Sequence, residues 1–335
     1  MKRLILELQP QTAFASPLLG CSLFGQLCVA LETACKGRLD RLLAGYTSGQ
    51  PFAVIGDVRP KGFFPRPSLP RAIHKDRDKN KDNEVEKSND TDVKQLKHRN
   101  WTPETMCDKP VEDWLDHSLT DDAVAALCGV PGRLQALTTR YLIRVIDDGD
   151  PEYYETAAVE YSHHIPLKLD VWVDERRLAV DELLQTLRQV GWQGYGGGAS
   201  RGMGKFEITD CQLASPWSGT GQTKLLTLGH CIPGEISEFA ENNSYFKSTV
   251  HYGRHGPQVA GEAVLKGLLK APVMLAKPGA VFCSEVLPES GVFGRGMGGD
   301  GSISRRFPKT VVQGYAPYLR VFSGSVTASR KGVPA

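Results

Sequence analysis

The chain has 335 residues, 41% of them hydrophobic, and a formal net charge of +2. That length is enough for two domains, each with a core of its own. The near-neutral balance excludes a general polycation, so any nucleic-acid surface must come from local clustering of Lys and Arg.

Residues 3–8, RLILEL, alternate and read as a half-buried strand with Leu4, Leu6 and Leu8 on one face. The opening MKRLILELQP is too short an apolar run for a signal peptide, and nothing approaches a membrane span, so a cytoplasmic protein without a membrane partner is expected. Ser16-Pro17 is a helix-start signal. The helix is expected over 20–35, with Leu23, Leu27 and Leu31 every fourth residue and Gly37 able to end it. Cys21, Cys28 and Cys35 fall along one face of it. The eight cysteines contain no CxxC, and they read as small buried thiols of a cytosolic protein. Pro51–Val58 suggests a second strand.

Periodicity is lost between residues 60 and 138. The stretch RPKGFFPRPSLP is basic, aromatic and rich in proline. Residues 72–100 follow, with HKDRDKNKDNEVEKSNDTDVKQLKHRN from His74 on, and hold almost nothing apolar. Such a segment cannot offset its ordering entropy, so a disordered loop insertion is expected. TDDAVAAL, from Thr120, reads as a short helix with an acidic first turn. Strands are expected at Tyr141–Ile146, Tyr154–Tyr161 and from Leu167 to Val173. A helix then places Val180, Leu183, Leu184, Leu187 and Val190 on one stripe, with Gly191 placed to cap it.

Next comes Gly194–Phe206, GYGGGASRGMGKF, six glycines in thirteen residues, before a closing strand begun by Phe206 and Ile208. A P-loop needs strand–GxxxxGK(S/T)–helix order, and a dinucleotide fingerprint also runs from strand to helix. Here a helix precedes and a strand follows, so both are excluded. Bare amides with Ser200, Arg201 and Lys205 suit a polyanion; a long flexible loop is the plainer alternative.

Strand, helix, strand, insertion, strand, helix, strand is a βαββαβ ferredoxin-like unit. In the second half, Leu225–Leu228, Tyr245–Tyr252, Val273–Ala276 and Ala280–Phe282 read as strands. A second basic glycine-rich stretch spans Gly291–Pro308, and TVVQGYAPYLRVF reads as strand, turn, strand. The expected fold is α+β: two ferredoxin-like (RRM-like) units, 1–211 with the insertion 60–138, and 212–335, the second eroded.

These pieces together resemble the RAMP superfamily of CRISPR proteins. GYGGGASRGMGKFEI is similar to its glycine-rich loop between second helix and last strand. ASPLLGCSLFGQLCVAL looks like its first loop and helix, with the Leu-Phe-Gly turn. KGFFPRPSLP and YYETAAVEYS (Tyr153–Ser162), with GYAP near the C-terminus, are similar to segments of the fourth-subunit family of type III-A Csm effector complexes, a Cas-five-like group. The charged insertion is not a feature of that family. The resemblance implies a non-enzymatic subunit that grips the 5′ tag of the crRNA, adjoins the large Cas-ten subunit and a backbone RAMP subunit, and meets target RNA through the complex, in antiviral defence. No cofactor or metal is implied.

Holding an RNA end needs N–H groups and cations for phosphates and flat faces for bases. The candidates are Ser200, Arg201 and Lys205 with the backbone of Gly196, Gly197, Gly198 and Gly202. Ser16 joins them, placed at a helix start where partial positive charge favours phosphate; it reads equally as a plain cap. Arg59, Lys61 and Arg66 flank Phe63 for stacking. Arg254 lies in HYGRHG, and Arg295, Arg305 and Arg306 lie in the second glycine-rich stretch, where RNA and a neighbouring subunit are both open readings. The rivals are an endoribonuclease processing precursor crRNA and a backbone subunit cleaving target RNA. His163, His164, His251 and His255 are the histidines a nuclease would draw on. Residues 10–40 hold none, and the glycines of HYGRHG argue against a metal pair. Asp147, Asp148 and Asp150 read as an acidic loop.

Overall fold

The computed structural model describes residues 1–70, 98–130, 134–144, 152–162, 164–215, 224–234, 243–255, 269–284 and 288–324. The expected disorder over 72–97, His163 and the turn of Asp147, Asp148 and Asp150 lie outside the described residues.

The alternating start of the chain forms β1 (Lys2–Pro10), and α1 (Gly20–Ala34) follows. Then come α2 (Arg38–Leu43), β2 (Ala53–Ile55), β3 (Arg59–Pro60) and β4 (Phe63–Pro65). Next are β5 (Arg99–Pro103), β6 (Leu119–Thr120), α3 (Asp121–Leu127), β7 (Gln135–Arg144) and β8 (Glu152–Tyr161). β9 (Leu167–Val173), α4 (Val180–Gln193) and β10 (Phe206–Ala214) complete the first half.

The strands order β10-β1-β9-β2, antiparallel throughout, with β3 also on β9. Register follows the hydrophobic pattern. Leu6 faces Leu169, Leu4 faces Val171, and Leu8 faces Ile208 across a bulge at Glu7/Leu8. These residues are buried, and α1 and α4 cover them with Leu23, Leu27, Leu31, Leu183, Leu187 and Val190. Each fully buried leucine side chain contributes about 1.5–3 kcal/mol.

The expected helix spans hold, with corrections at their ends. α1 starts three residues after Pro17, and its cap position is Leu19, whose backbone is still extended. Ser16 is therefore no cap. Cys21 and Cys28 are buried, but Cys35 lies just past the helix end and is exposed, so the thiol face is shorter than expected. α4 runs through Gly191 to Gln193, and Gly194, at φ 103°, takes the cap position. Gly191 instead lets helix and strand touch: a Cβ there would sit 2.3 Å from the Phe206 carbonyl oxygen.

The other face of the sheet carries Arg3, Asp170, Lys168 and Trp172. Asp170 accepts from Arg3 at 2.7 Å and from Arg59 at 2.9 Å, and Arg59 also reaches Glu104 at 2.5 Å. An RRM lays RNA on this face; here Arg3, Asp170 and Trp172 are buried beneath other parts of the chain.

The second half contributes β11 (Lys224–Thr227), β12 (Ser248–His251), β13 (Val273–Ala276), β14 (Val281–Cys283), β15 (Val292–Gly294), β16 (Met297–Gly298), β17 (Val311–Val312) and β18 (Tyr315–Val321). Four of these form an antiparallel sheet ordered β14-β11-β18-β15. TVVQGYAPYLRVF is not a hairpin: β17 pairs with β16, whereas β18 pairs with β11 and β15. β7 and β8 form a two-stranded sheet of their own, and Phe14 bridges to Val159 of β8.

The described parts of the weakly patterned region 60–138 are built in. Arg99 and Asn100, expected in the disordered stretch, belong to β5, which pairs with β4 and β6. Phe64, Val111 and Trp114 pack with Leu226, Val281, Leu319 and Val321 and so complete the core under the second sheet. Among the described residues no helix is long and apolar enough to cross a membrane.

Candidate nucleic-acid interface

The glycine-rich loop leaves α4 and folds back on itself. Its Tyr195 is 1% exposed and its Met203 6%. The N–H of Tyr195 donates to the Gly204 carbonyl at 2.8 Å, and Gly204, at φ 76°, brings its Cα so close that a Cβ would lie 2.1 Å from the Tyr195 carbonyl oxygen. The loop is thus packed, not slack, and most of its glycines serve that packing.

The first loop, between β1 and α1, locks onto it. Gln11 N–H donates to the Lys205 carbonyl, Gly204 N–H to the Ala13 carbonyl, and Lys205 N–H to the Thr12 hydroxyl at 2.9 Å. The Tyr195 hydroxyl donates to the Pro17 carbonyl at 2.9 Å and accepts from Leu19 N–H at 3.2 Å. Ser16 is brought against Gly196, where a Cβ would be 2.9 Å from its Oγ.

What this leaves outward suits a phosphate. Ser200, Arg201, Gly197 and Gly202 are exposed, and Ser16, Gly196, Gly198 and Lys205 are half-buried. The N–H groups of Gly196, Gly197 and Gly198 donate to no group among the described residues. A Cβ on Gly202 would meet open space, so that backbone can be approached closely. Three unengaged amides on a loop that also carries a hydroxyl and two cations are the groups an oxyanion would need.

The sequence matches no protein-family model and no curated protein. Solved structures match the whole fold. A chain of a Csm1–Csm4 cassette in complex with pppApA is 13% identical and superposes with a TM-score of 0.55, over 97% of this chain and 100% of that one. A chain of a Csm3–Csm4 subcomplex in the type III-A CRISPR-Cas interference complex is 12% identical, with a TM-score of 0.52 over 96% of this chain and 99% of the other. The component common to both is Csm4. The chain has a Csm4-like fold.

The start of α1 in this Csm4-like chain is not open to phosphate, contrary to expectation. Asp57 Oδ1 accepts from Gly20 N–H at 2.7 Å, Tyr195 takes Leu19 N–H, and the Tyr161 hydroxyl takes Leu18 N–H at 3.1 Å. A carboxylate already answers the partial positive charge there. Ser16 lies instead against Gly196 of the glycine-rich loop.

Arg59 and Phe63 are also corrected. Arg59 is 3% exposed and spent on Asp170, Glu104 and the Phe63 carbonyl; its guanidinium lies 5.0 Å from the centre of the Phe64 ring. Phe63 is buried, and Phe64 stacks on Trp114 at 5.9 Å. Arg59 and Phe63 are therefore internal. Lys61 is exposed and pairs with Glu7 at 2.7 Å, and Arg66 is half-buried.

Arg254, Arg305 and Arg306 lie elsewhere, on two segments that meet through His255 and Ser304. His255, beside Arg254, lies 3.1 Å from Ser304 Oγ with its ring edge-on to Phe307, and the Arg306 guanidinium sits 5.6 Å from the centre of that ring. Arg295 is exposed, and Gly296 beside it abuts Tyr46.

One constellation escaped sequence reading. His230 Nδ1 lies 2.5 Å from Asp57 Oδ2, the carboxylate that also caps α1. Burial would lower the imidazole pKa, but Asp57 outweighs it and holds it above the ordinary histidine value. His251 approaches Cys21 at 3.9 Å, and burial, with His230 and Lys270, lowers its pKa. Burial pushes the Cys21 thiol up to about 12. No cluster of three metal-ligating side chains occurs among the described residues. Asp57 and His230 are 173 residues apart with no spacing rule between them, so no sequence signal pointed to the pair.

Proposed function

We propose that this chain is a non-catalytic crRNA-binding subunit of a type III CRISPR effector complex, cytoplasmic and active in antiviral defence. It caps the 5′ repeat-derived tag of the guide and adjoins the large Cas-ten subunit and the backbone RAMP subunit. It meets target RNA through the complex and uses no cofactor. Solved Csm4 assemblies contain Csm1 and Csm3, which supports partners of those kinds. The first half is a ferredoxin-like unit, and the second an eroded copy that has kept mainly its sheet.

One observation carries the reading: two loops distant in sequence lock together and present three unengaged amides with Ser16, Ser200, Arg201 and Lys205. The RRM-type sheet face is covered, so the RNA runs over the sheet's end, at these loops.

Fluorescence anisotropy of a 5′-tag RNA across a salt series tests it. Arg201→Ala with Lys205→Ala should weaken binding and flatten the salt slope by ~0.7 per lost phosphate contact, one to two contacts in all. Unchanged affinity and slope would remove the loop from the interface and favour Arg254, Arg305 and Arg306. The Asp57–His230 pair keeps the endoribonuclease alternative testable. The expected result is that purified protein leaves repeat RNA uncut in single turnover. Cleavage abolished by His230→Ala or His251→Ala would replace the proposal with that alternative.

A further inference from the structure

On the far side of Pro17 the same first loop walls a cavity of about 450 Å³. Its other walls are Asp57–Pro60, the proline-rich run Pro65–Ser68, Arg99–Trp101 of β5, Tyr161, and Lys247 and Lys277 from the second half. The interface proposed above does not use it. Small-molecule sites typically occupy ~300–1,000 Å³, so a single nucleotide fits.

The charges that the described residues bring to it are unbalanced. Among them Asp57 is the one carboxylate lining the cavity, and both of its oxygens are engaged, by Gly20 N–H and by His230. Arg59 is answered by Asp170 and Glu104. Lys247 and Lys277 pair with no carboxylate among the described residues. The N–H of Lys277 donates to the Lys247 carbonyl at 2.8 Å, so the two chains leave the backbone side by side. Burial, with Arg66 and Lys277 close by, holds Lys247 below the ordinary lysine value. Like charges gathered in a concavity make the empty site costly, and a bound anion relieves that cost. Trp101 adds a flat wall, its indole N–H fixed on Asp121 at 2.7 Å. Bases stack on such faces whatever their sequence.

We infer that this cavity is a nucleotide site, in which Lys247 and Lys277 hold a phosphate and Trp101 takes the base. The same chemistry fits a nucleotide of the bound RNA strand, reaching past Pro17 from the glycine loop, and a free nucleoside monophosphate. Only the first source rests on the RNA-binding function proposed above.

Titration calorimetry of the full chain with adenosine monophosphate, inorganic phosphate and tag RNA tests the site. Lys247 and Lys277 are exposed, so their alanine variants should not melt below wild type. Lys247→Ala with Lys277→Ala should weaken the monophosphate by roughly tenfold or more. Trp101→Leu should weaken the monophosphate but spare inorganic phosphate. Arg201→Ala with Lys205→Ala should leave the monophosphate untouched, which separates failure of this site from failure of the glycine loop. Displacement of the monophosphate by tag RNA assigns the site to the RNA strand; simultaneous binding of both assigns it to a free nucleotide. The inference is overturned if the lysine double variant binds both the monophosphate and the RNA as wild type does, or if wild type binds no monophosphate and the double variant leaves RNA affinity unchanged.

Discussion

Asp170 holds two guanidinium groups where water does not reach, with Arg3, Asp170 and Arg59 all 4% exposed or less. Burial alone would raise its pKa; Arg59 and Arg3 outweigh it and hold the carboxyl below the ordinary aspartate value. A depressed folded pKa stabilises above the unfolded value, and that stability is lost as pH falls through the folded one. Asp170→Asn leaves two buried cations short of a partner and should cost about 3–5 kcal/mol in urea unfolding near neutral pH. The gap from wild type should narrow below the ordinary aspartate range. His230 works in the opposite sense, since its folded pKa is raised. Its contribution is complete below the ordinary histidine value and is lost as pH rises through the folded one. Wild type should therefore exceed His230→Gln in melting temperature at mildly acidic pH, and the difference should shrink towards alkaline pH. A constant difference would mean that the Asp57–His230 ion pair does not form.

At the scale of elements, the two interlocked loops make a test of what each glycine is for. Gly204 and Gly202 share a positive φ, 76° and 78°. They differ in surroundings, because a Cβ on Gly204 would overlap the Tyr195 backbone whereas one on Gly202 meets open space. Gly202→Ala should cost about 1–2 kcal/mol from backbone strain alone. Gly204→Ala should cost more and expose the loop amides to hydrogen exchange, since Tyr195 must move. Tyr195→Phe removes the hydroxyl that joins Pro17 to Leu19 and should cost about 1–3 kcal/mol. Equal losses for the two glycine variants in thermal melting would show that packing of the loop is not what selects its glycines.

Across the whole molecule, the two halves share hydrogen bonds as well as apolar contacts. β2 is an edge strand, and the Gln313 side chain covers that edge: its amide N–H donates to the Ile55 carbonyl at 2.6 Å and its carbonyl accepts from Ile55 N–H at 2.9 Å. Tyr315 donates to the Tyr46 carbonyl at 2.7 Å, and Gly291 lies flat on Trp172. Gln313→Ala strands two backbone groups and should cost about 1–3 kcal/mol. Unfolding followed by Trp172 in the first half and by Trp114 beneath the second sheet should remain one transition in wild type. Two separate transitions would mean that the halves fold independently.

The sequence by itself determined the elements whose evidence is local. Leu4, Leu6 and Leu8 alternate along β1, Leu183, Leu184, Leu187 and Val190 stripe α4, and helix–glycines–strand order is visible without coordinates. Each pattern reports only how neighbours along the chain share a face. Only the tertiary structure decided what meets what. Arg59 and Phe63 looked like RNA contacts because a basic–aromatic run carries no sign of which way it faces; Asp170, 111 residues further on, turns Arg59 inward. Val111 and Trp114 sit in a region without periodicity, yet they complete a core whose other side is supplied by β11, β14 and β18. Ser16 meets Gly196, and Lys247 stands beside Lys277, because strand pairing closes chain separations that no local pattern encodes. Burial and charge balance are properties of those closures, and so the parts of the interface that depend on them became legible only in the folded chain.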